Sequence, residues 1–353
     1  MIMPVPKKMK GVLLTGFGGF DKLNFRDDLP VPVPAAGEVL IKVGACGMNN
    51  TDLWTREGAY GNALSDESQS GWRDKEFDFP RIQGADIVGK IIDVGEGVTR
   101  SRINERVIVN PTLYASNTIE GLYNADIIGS ERDGGFAEFA AIPTQNAIAI
   151  ESDLSDAELA TFMVSYLTAE HMLNRARVSG GDRVLVTGAS GGVGSALVQL
   201  SKRRGAQVIA VVGKGKESLV RGIGADFVIT RGVDVGAGLR TLGIDAVDVV
   251  ADIVAGPQAA ELLNVLCIGG RLVIAGAIAG PLTEIDWRKV YLKHLDVLGA
   301  TMGTMQEALD LIRYISLKEI KPLLSNTYSL KDIVQAQKAF LLKQFFGKLV
   351  LRP

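Results

Sequence analysis

The stretch Arg183–Val212, RVLVTGASGGVGSALVQLSKRRGAQVIAVV, decides the fold. It opens with an apolar run of β type and passes through a turn made almost wholly of Gly, Ala and Ser. Gly192–Arg204 follows, with Val193, Leu197 and Leu200 at helical spacing and Gly205 placed to end the helix. A second apolar run, Gln207–Val212, completes a strand, turn, helix and strand, the repeating unit of a parallel sheet.

Within the turn, Ala189, Gly191 and Gly194 stand in a G-x-G-x-x-G frame with alanine in the first slot. Small residues there let backbone approach a diphosphate, while the amides at the helix start donate to it and add partial positive charge. Ala189, Ser190, Gly191, Gly192, Val193 and Gly194 are therefore the candidate dinucleotide-binding residues, the alternative being a tight turn without a ligand. A carboxylate that would bind both ribose hydroxyls of NAD is missing from the end of the second strand, which runs on as VIAVVGKGKES. Lys214 or Lys216, helped by Ser218, is placed to hold a 2′-phosphate, so NADP(H) is expected over NAD(H); otherwise both lysines are solvated surface charges.

Further along, DFVIT, AVDVVADIV, RLVIAG and LDVLGA are nearly continuous apolar runs, as a sheet covered on both faces requires. This half reads as a doubly wound sheet over residues 154–303, entered through a helix that Ser155 caps. From Lys10 to Ile150 the pattern differs: short β runs separated by Gly and Pro predict a strand-rich domain of irregular barrel type. Residues 61–78 and 112–134 are polar, Gly-containing inserts and read as surface loops. A helical stretch around Gln306–Leu317 leads to a closing β run that returns to the first domain, giving 1–153 with 304–353 as one domain.

Composition narrows the function. Hydrophobic residues at 47% and charged residues at 22% mark a globular chain. Lys plus Arg at 38 against Asp plus Glu at 40 gives no basic field for nucleic acid. The absence of a secretory core or a bilayer-length apolar run predicts a cytoplasmic protein with no membrane partner. Two cysteines, Cys46 and Cys267, are too few for a disulfide framework and read as reduced and structural.

Taken in order, GEVLIKVGACGMNNTDL, GADIVGKIIDVGEGV, ERVIVNP, DGGFAEFAAIP, VLVTGASGGVGSALVQLSK, GRLVIAG and GKLVLRP resemble the medium-chain dehydrogenase/reductase superfamily across nearly the whole chain. The resemblance implies a GroES-like barrel domain joined to a Rossmann domain. It is strongest to the zinc-free quinone oxidoreductase and enoyl reductase branch, which uses NADPH on activated double bonds. Zinc members carry two Cys and one His as catalytic ligands. Here those slots hold Asn49, Ala85 and Val164, with Asp86 keeping an acidic neighbour, and the region of the structural zinc lobe, Asn110–Arg132, has no cysteine. No metal is expected.

The same resemblance places Asn49 and Thr51 in the turn that faces the nicotinamide, and Tyr60 in the position of a phenol that acts there in mitochondrial 2-enoyl thioester reductases. A phenol stays protonated at neutral pH and can donate to an enolate, so Tyr60 is either the donor or a pocket wall, and Asn49 either a donor or a turn residue. Tyr166 stands where relatives often carry a small residue and either narrows the pocket or adds a second phenol; Ala275 and Gly276 are expected to bring backbone near the nicotinamide. Asp52 reads as the cap of a helix beginning at Leu53, and His171 and His294 receive no role. The expected activity is NADPH-dependent reduction of an enone, enoyl compound or quinone, by a homodimer or higher homo-oligomer pairing along HLDVLGATMG. The alternatives are a zinc-free or atypical alcohol dehydrogenase or aldehyde reductase, and an NADPH-binding protein without turnover.

Overall fold

The structure, a computed structural model, describes residues 5–59, 77–116 and 118–353. The chain divides into two compact units, one of residues 1–164, 308–317 and 322–353, the other of residues 165–307 and 318–321. Along the chain the elements are β1 (Lys8–Leu14), β2 (Leu23–Pro30), β3 (Glu38–Gly47), α1 (Asn50–Glu57), β4 (Arg81–Ile82), β5 (Asp86–Val94), β6 (Arg106–Val109), β7 (Thr112–Leu113), α2 (Ile119–Tyr123), β8 (Asp126–Ile127), β9 (Phe139–Pro143), β10 (Ala147–Ala149) and α3 (Asp156–Leu159). Then come α4 (Met163–Arg175), β11 (Arg183–Val186), α5 (Gly192–Arg203), β12 (Gln207–Val212), α6 (Glu217–Gly222), β13 (Phe227–Thr230), α7 (Val235–Thr241), β14 (Val247–Asp252), α8 (Ala259–Leu262) and β15 (Leu266–Ile274). The chain closes with α9 (Trp287–Leu292), β16 (Asp296–Gly299), α10 (Met305–Ser316), β17 (Leu324–Ser329), α11 (Ile333–Leu342) and β18 (Lys348–Arg352).

The first unit is the GroES-like domain. Its larger sheet runs β10-β6-β5-β3-β18-β17 with β9 also on β3, and its smaller one β2-β1-β4. The carboxyl-terminal strand pairs with this sheet: Val350 and Leu351 of β18 lie opposite Gly47 and Cys46 of β3. Leu349 and Leu351 join Ile333, Ala336 and Phe340 of α11 in the same core as Val39, Ile41, Ile87 and Ile91. Residues 154–164 also belong to this unit, because α3 packs on β3 and β5. Ser155 does cap α3, its hydroxyl accepting from Glu158 N–H while the Glu158 carboxylate accepts from Ser155 N–H. The stretch 112–134, read as loop, instead holds the paired β7 and β8 and the helix α2, capped by Thr118. Two-residue strands are too short for alternation to reveal.

The second unit is a six-stranded, all-parallel sheet in the order β13-β12-β11-β14-β15-β16. The order reverses direction between β11 and β14, and in open α/β sheets ligands bind at that switch point, beyond the carboxyl ends of the strands. Leu185, Ile209, Val250 and Leu272 from four neighbouring strands fill one core. Among the described residues no helix is long and apolar enough to cross a membrane.

Candidate functional site

The switch point of the second unit is built by β11, β14 and the turn into α5. Thr187, just past β11, donates from Oγ1 to Asp252 Oδ1 at 2.5 Å, and the fully buried Asp252 carboxylate also accepts from the N–H groups of Val254 and Ala255. One carboxylate thus pins both lips of the crevice. The turn itself is held by Ala189 N–H on Val211 O (3.2 Å) and Gly191 N–H on Gly188 O (3.0 Å). Gly191 is the N-cap of α5, so Gly192, Val193 and Gly194 have no intrahelical carbonyl for their N–H groups. A Cβ at Gly194 would lie 2.2 Å from Gly188 O, so only glycine lets α5 pack this close to the turn. These residues fit a dinucleotide diphosphate: small side chains and donor amides meet at one helix start. Ala275 and Gly276 follow β15 at the same end of the sheet, with Ala275 N–H on Asp252 O and the Gly276 Cβ position 2.9 Å from Ile253 O.

In the first unit a polar cluster forms where α1 leaves β3. Asn49 is extended (φ −132°, ψ 162°) and precedes a helix that starts at Asn50 and ends against Gly58 (φ 83°). Asp52 lies in the first turn and reaches back to accept from Asn49 N–H at 2.7 Å, so the helix begins three residues before the Leu53 start expected from Asp52 as cap. Asp86, at the start of β5, lies opposite Gly47 at the end of β3. Its Oδ2 accepts from Lys348 Nζ (2.8 Å) and Asn49 Nδ2 (3.0 Å), its Oδ1 from Val164 N–H (2.6 Å), and Lys348 Nζ also donates to Asn49 Oδ1. All three side chains are buried, Asp86 at 1% exposure. Burial pushes the neighbouring Asp52 up to about 7, with the Asp86 charge adding and Asn49 N–H and Lys348 opposing. Cys46 is buried beneath, its Sγ 2.8 and 2.9 Å from the Cβ positions of Gly84 and Gly135, and burial pushes its thiol well up.

This cluster tests the metal slots directly. Asn49, Ala85 and Val164 offer an amide, a methyl and an isopropyl group, and Asp86 is already satisfied by an ammonium, an amide and a backbone N–H. That donor set does not fit a catalytic zinc, which takes three His, Cys or carboxylate ligands plus water. Among the described residues no group of three such side chains is placed to hold a metal.

The remaining candidates fall in different places. Thr51 is exposed on the first turn of α1, and Tyr60 lies outside the described residues. Tyr166 is 2% exposed in the second unit; its hydroxyl donates to Lys321 O (2.9 Å) and accepts from Gln199 Nε2 (2.7 Å), and burial raises its pKa strongly. Those two bonds hold its hydroxyl within the second unit and anchor α4 there. His171, given no role from sequence, pairs with Glu307 at 3.1 Å; burial alone would raise the Glu307 carboxyl, but donors from His171, Thr304 and Asn174 bring it down to about 2. Lys214 is exposed and Lys216 half-buried in the turn after β12. Lys348 was not legible as a site residue from sequence, since it gains its meaning from partners far away in the chain.

A discontinuous GroES-like unit and a parallel dinucleotide-binding sheet define an oxidoreductase architecture. The family model for the alcohol dehydrogenase GroES-like domain matches residues 35–152, and that for the zinc-binding dehydrogenase matches residues 192–316. An acryloyl-coenzyme A reductase of Metallosphaera sedula is 30% identical over 358 residues, covering 97% of this chain and 99% of its own. A quinone oxidoreductase of Lama guanicoe is 28% identical, covering 94% and 93%. A solved structure of a candidate alcohol dehydrogenase from Sinorhizobium meliloti 1021 is 51% identical, covers 99% of this chain and 98% of its own, and superposes with a TM-score of 0.94. The chain belongs to the medium-chain dehydrogenase/reductase superfamily, in its quinone-oxidoreductase-like branch, a family of nicotinamide-dependent oxidoreductases.

Proposed function

We propose that this chain is an NADPH-dependent reductase of activated double bonds, acting on an enone, an enoyl compound or a quinone. The observation that carries the reading is the Lys348–Asp86–Asn49 cluster, which engages Asn49 of one metal slot, the acidic neighbour of the second and, through Asp86, the backbone of Val164 in the third. Where those slots offer no metal ligands, a substrate carbonyl is polarised by hydrogen-bond donors other than the cluster. Reduction of a conjugated alkene moves charge onto the carbonyl oxygen, where a donor can meet it, whereas oxidising a simple alcohol requires a base. Relatives named for quinone and acryloyl-coenzyme A reduction over the full length support the same class.

When bound, the reduced nicotinamide supplies the hydride. Gly191, Gly192, Val193 and Gly194 are the proposed diphosphate cradle, with Ala189 and Ser190 shaping the turn and Ala275 and Gly276 flanking the nicotinamide. Thr51 and Tyr60 are the proposed donors to the substrate oxygen. Asn49 has both side-chain polar atoms engaged and is assigned to positioning α1. NADPH is preferred because β12 ends without a carboxylate and Lys214 and Lys216 follow it. Self-association is proposed along β16, an edge strand of its sheet, where Val297 is exposed and Trp287, Tyr291 and Leu292 of the preceding α9 are exposed as well.

A second reading, carbonyl reduction, is favoured by the 51% identity to a candidate alcohol dehydrogenase. NADPH consumption with 1,2-naphthoquinone, a 2-alkenal and a simple aldehyde separates the two. Turnover of the quinone or the alkenal is expected; turnover of the aldehyde alone, with zinc in the protein, would select the second reading. Tyr60→Phe is expected to slow enone reduction, and a full rate in that variant removes the donor role from Tyr60.

A further inference from the structure

At the switch point of the second unit lies a buried carboxylate that no cation balances. β14 ends at Asp252, whose side chain is fully buried. It accepts from Thr187 Oγ1, from Val254 N–H at Oδ1 (2.9 Å) and from Ala255 N–H at Oδ2 (3.1 Å). The Thr187 hydroxyl itself accepts from Ile253 N–H (3.2 Å), so its proton goes to Asp252, and all three partners donate, as an ionised carboxylate requires. Among the described residues Asp252 forms no ion pair. Buried charges are ordinarily paired or bound to a metal, so one held by neutral dipoles alone marks a candidate functional group. The backbone around it is drawn in tightly. Ala255, with its N–H on Asp252, is held in the left-handed region (φ 51°), where an alanine is strained. Ala275 N–H donates to Asp252 O (3.1 Å) and Ala279 N–H to Val254 O (2.8 Å), while the Cβ position of Gly188 lies 3.1 Å from Ile253 Cδ1. Residues 253–256 therefore lie between the diphosphate turn and the segment, beginning at Ala275 and Gly276, that is proposed to flank the nicotinamide.

We propose that Asp252 supplies a fixed negative charge that favours the oxidised, cationic nicotinamide over the reduced one, and so promotes release of hydride to the acceptor. The proposal rests on the nicotinamide-dependent reading above and deepens it. Hydride transfer carries both electrons of a C–H bond to the acceptor carbon and leaves one positive charge on a ring that was neutral. A preorganised charge near the place where that positive charge develops stabilises it without reorganisation. Neutral donors leave the field of the carboxylate in place, whereas a Lys or Arg partner would cancel most of it. Being fully buried, Asp252 acts through space, and it is a positioning residue in that its three bonds also fix residues 253–256. The charge is what distinguishes the proposed role from a purely structural one.

The test is calorimetric titration of the full chain with NADPH and with NADP+. Asp252→Asn removes the charge, and its amide oxygen can still accept the Thr187 and Val254 bonds. It should weaken NADP+ about tenfold more than NADPH, the effect of one charge about 12 Å away at an effective dielectric of about 20. Asp252→Ser is a second neutral variant, read in its place if the amide does not fold, with the same change in ratio expected. Asp252→Glu keeps the charge and should keep the wild-type ratio; Thr187→Val loses a bond but no charge and should move both affinities by one factor. If the neutral variant weakens both forms equally, or neither, or if the glutamate variant shifts the ratio as the amide does, Asp252 only holds backbone and the inference is wrong while the cofactor reading stands. A wild type that prefers NADH overturns the NADPH preference alone, and the same ratio is then read with NADH and NAD+. A wild type that binds no nicotinamide nucleotide takes the cofactor reading and this inference down together.

Discussion

Removing the Lys348 ammonium tests how the first unit is held together at its candidate site. Lys348→Met keeps most of the side-chain volume and deletes one charge of a pair whose members have side-chain exposures of 5% and 0%. Breaking a buried ion pair from one side costs about 3–5 kcal/mol, because the other charge is left in a medium that solvates it poorly. Asp86 retains Asn49 Nδ2 and Val164 N–H, which places the loss near the lower end, about 3 kcal/mol. For a cooperative unit of this size that is a fall in melting temperature of roughly 6–12 °C. Differential scanning calorimetry at pH 8 reads it. Lys348→Met combined with Asp86→Asn should recover much of the loss. A single variant that melts within about 1 °C of wild type, or a double variant no better than the single, would refute the reasoning.

Other consequences concern charge, close approach and assembly. Asp52 titrates near 7 against an ordinary 3.8, so its ionisation opposes folding increasingly between about pH 4 and pH 7 and fully above that. Asp52→Asn keeps an acceptor for Asn49 N–H and removes this opposition, so urea unfolding should show the variant gaining on wild type between pH 5 and pH 8, with a ceiling of about 4 kcal/mol. Gly194→Ala puts a methyl 2.2 Å from Gly188 O, and nucleotide titration should find affinity for NADPH and NADH lost together. Light scattering should give a dimer or higher assembly for wild type and a monomer for Val297→Glu; a wild-type monomer would remove β16 as an interface.

The second unit was readable because each of its parts is local. Strand, small-residue turn, helix and strand lie consecutively in Arg183–Val212, and β12 spans the Gln207–Val212 run read for it. The candidate site of the first unit was readable only as a set of missing metal ligands. What replaces them depends on Lys348, which meets Asp86 from 262 residues away through the pairing of β18 with β3. No spacing rule brings those positions together. The bonds of Tyr166 to Gln199 and Lys321 were hidden likewise, because those partners lie 33 and 155 residues away.

The most direct measurement of the central claim follows the transferred atom. With NADPH deuterated at the transferable position of the nicotinamide and a 2-alkenal as acceptor, the chelator-treated protein should place deuterium on the β-carbon of a saturated aldehyde. Deuterium on the carbinol carbon of an allylic alcohol, or activity that disappears with chelator and returns with zinc, would contradict it.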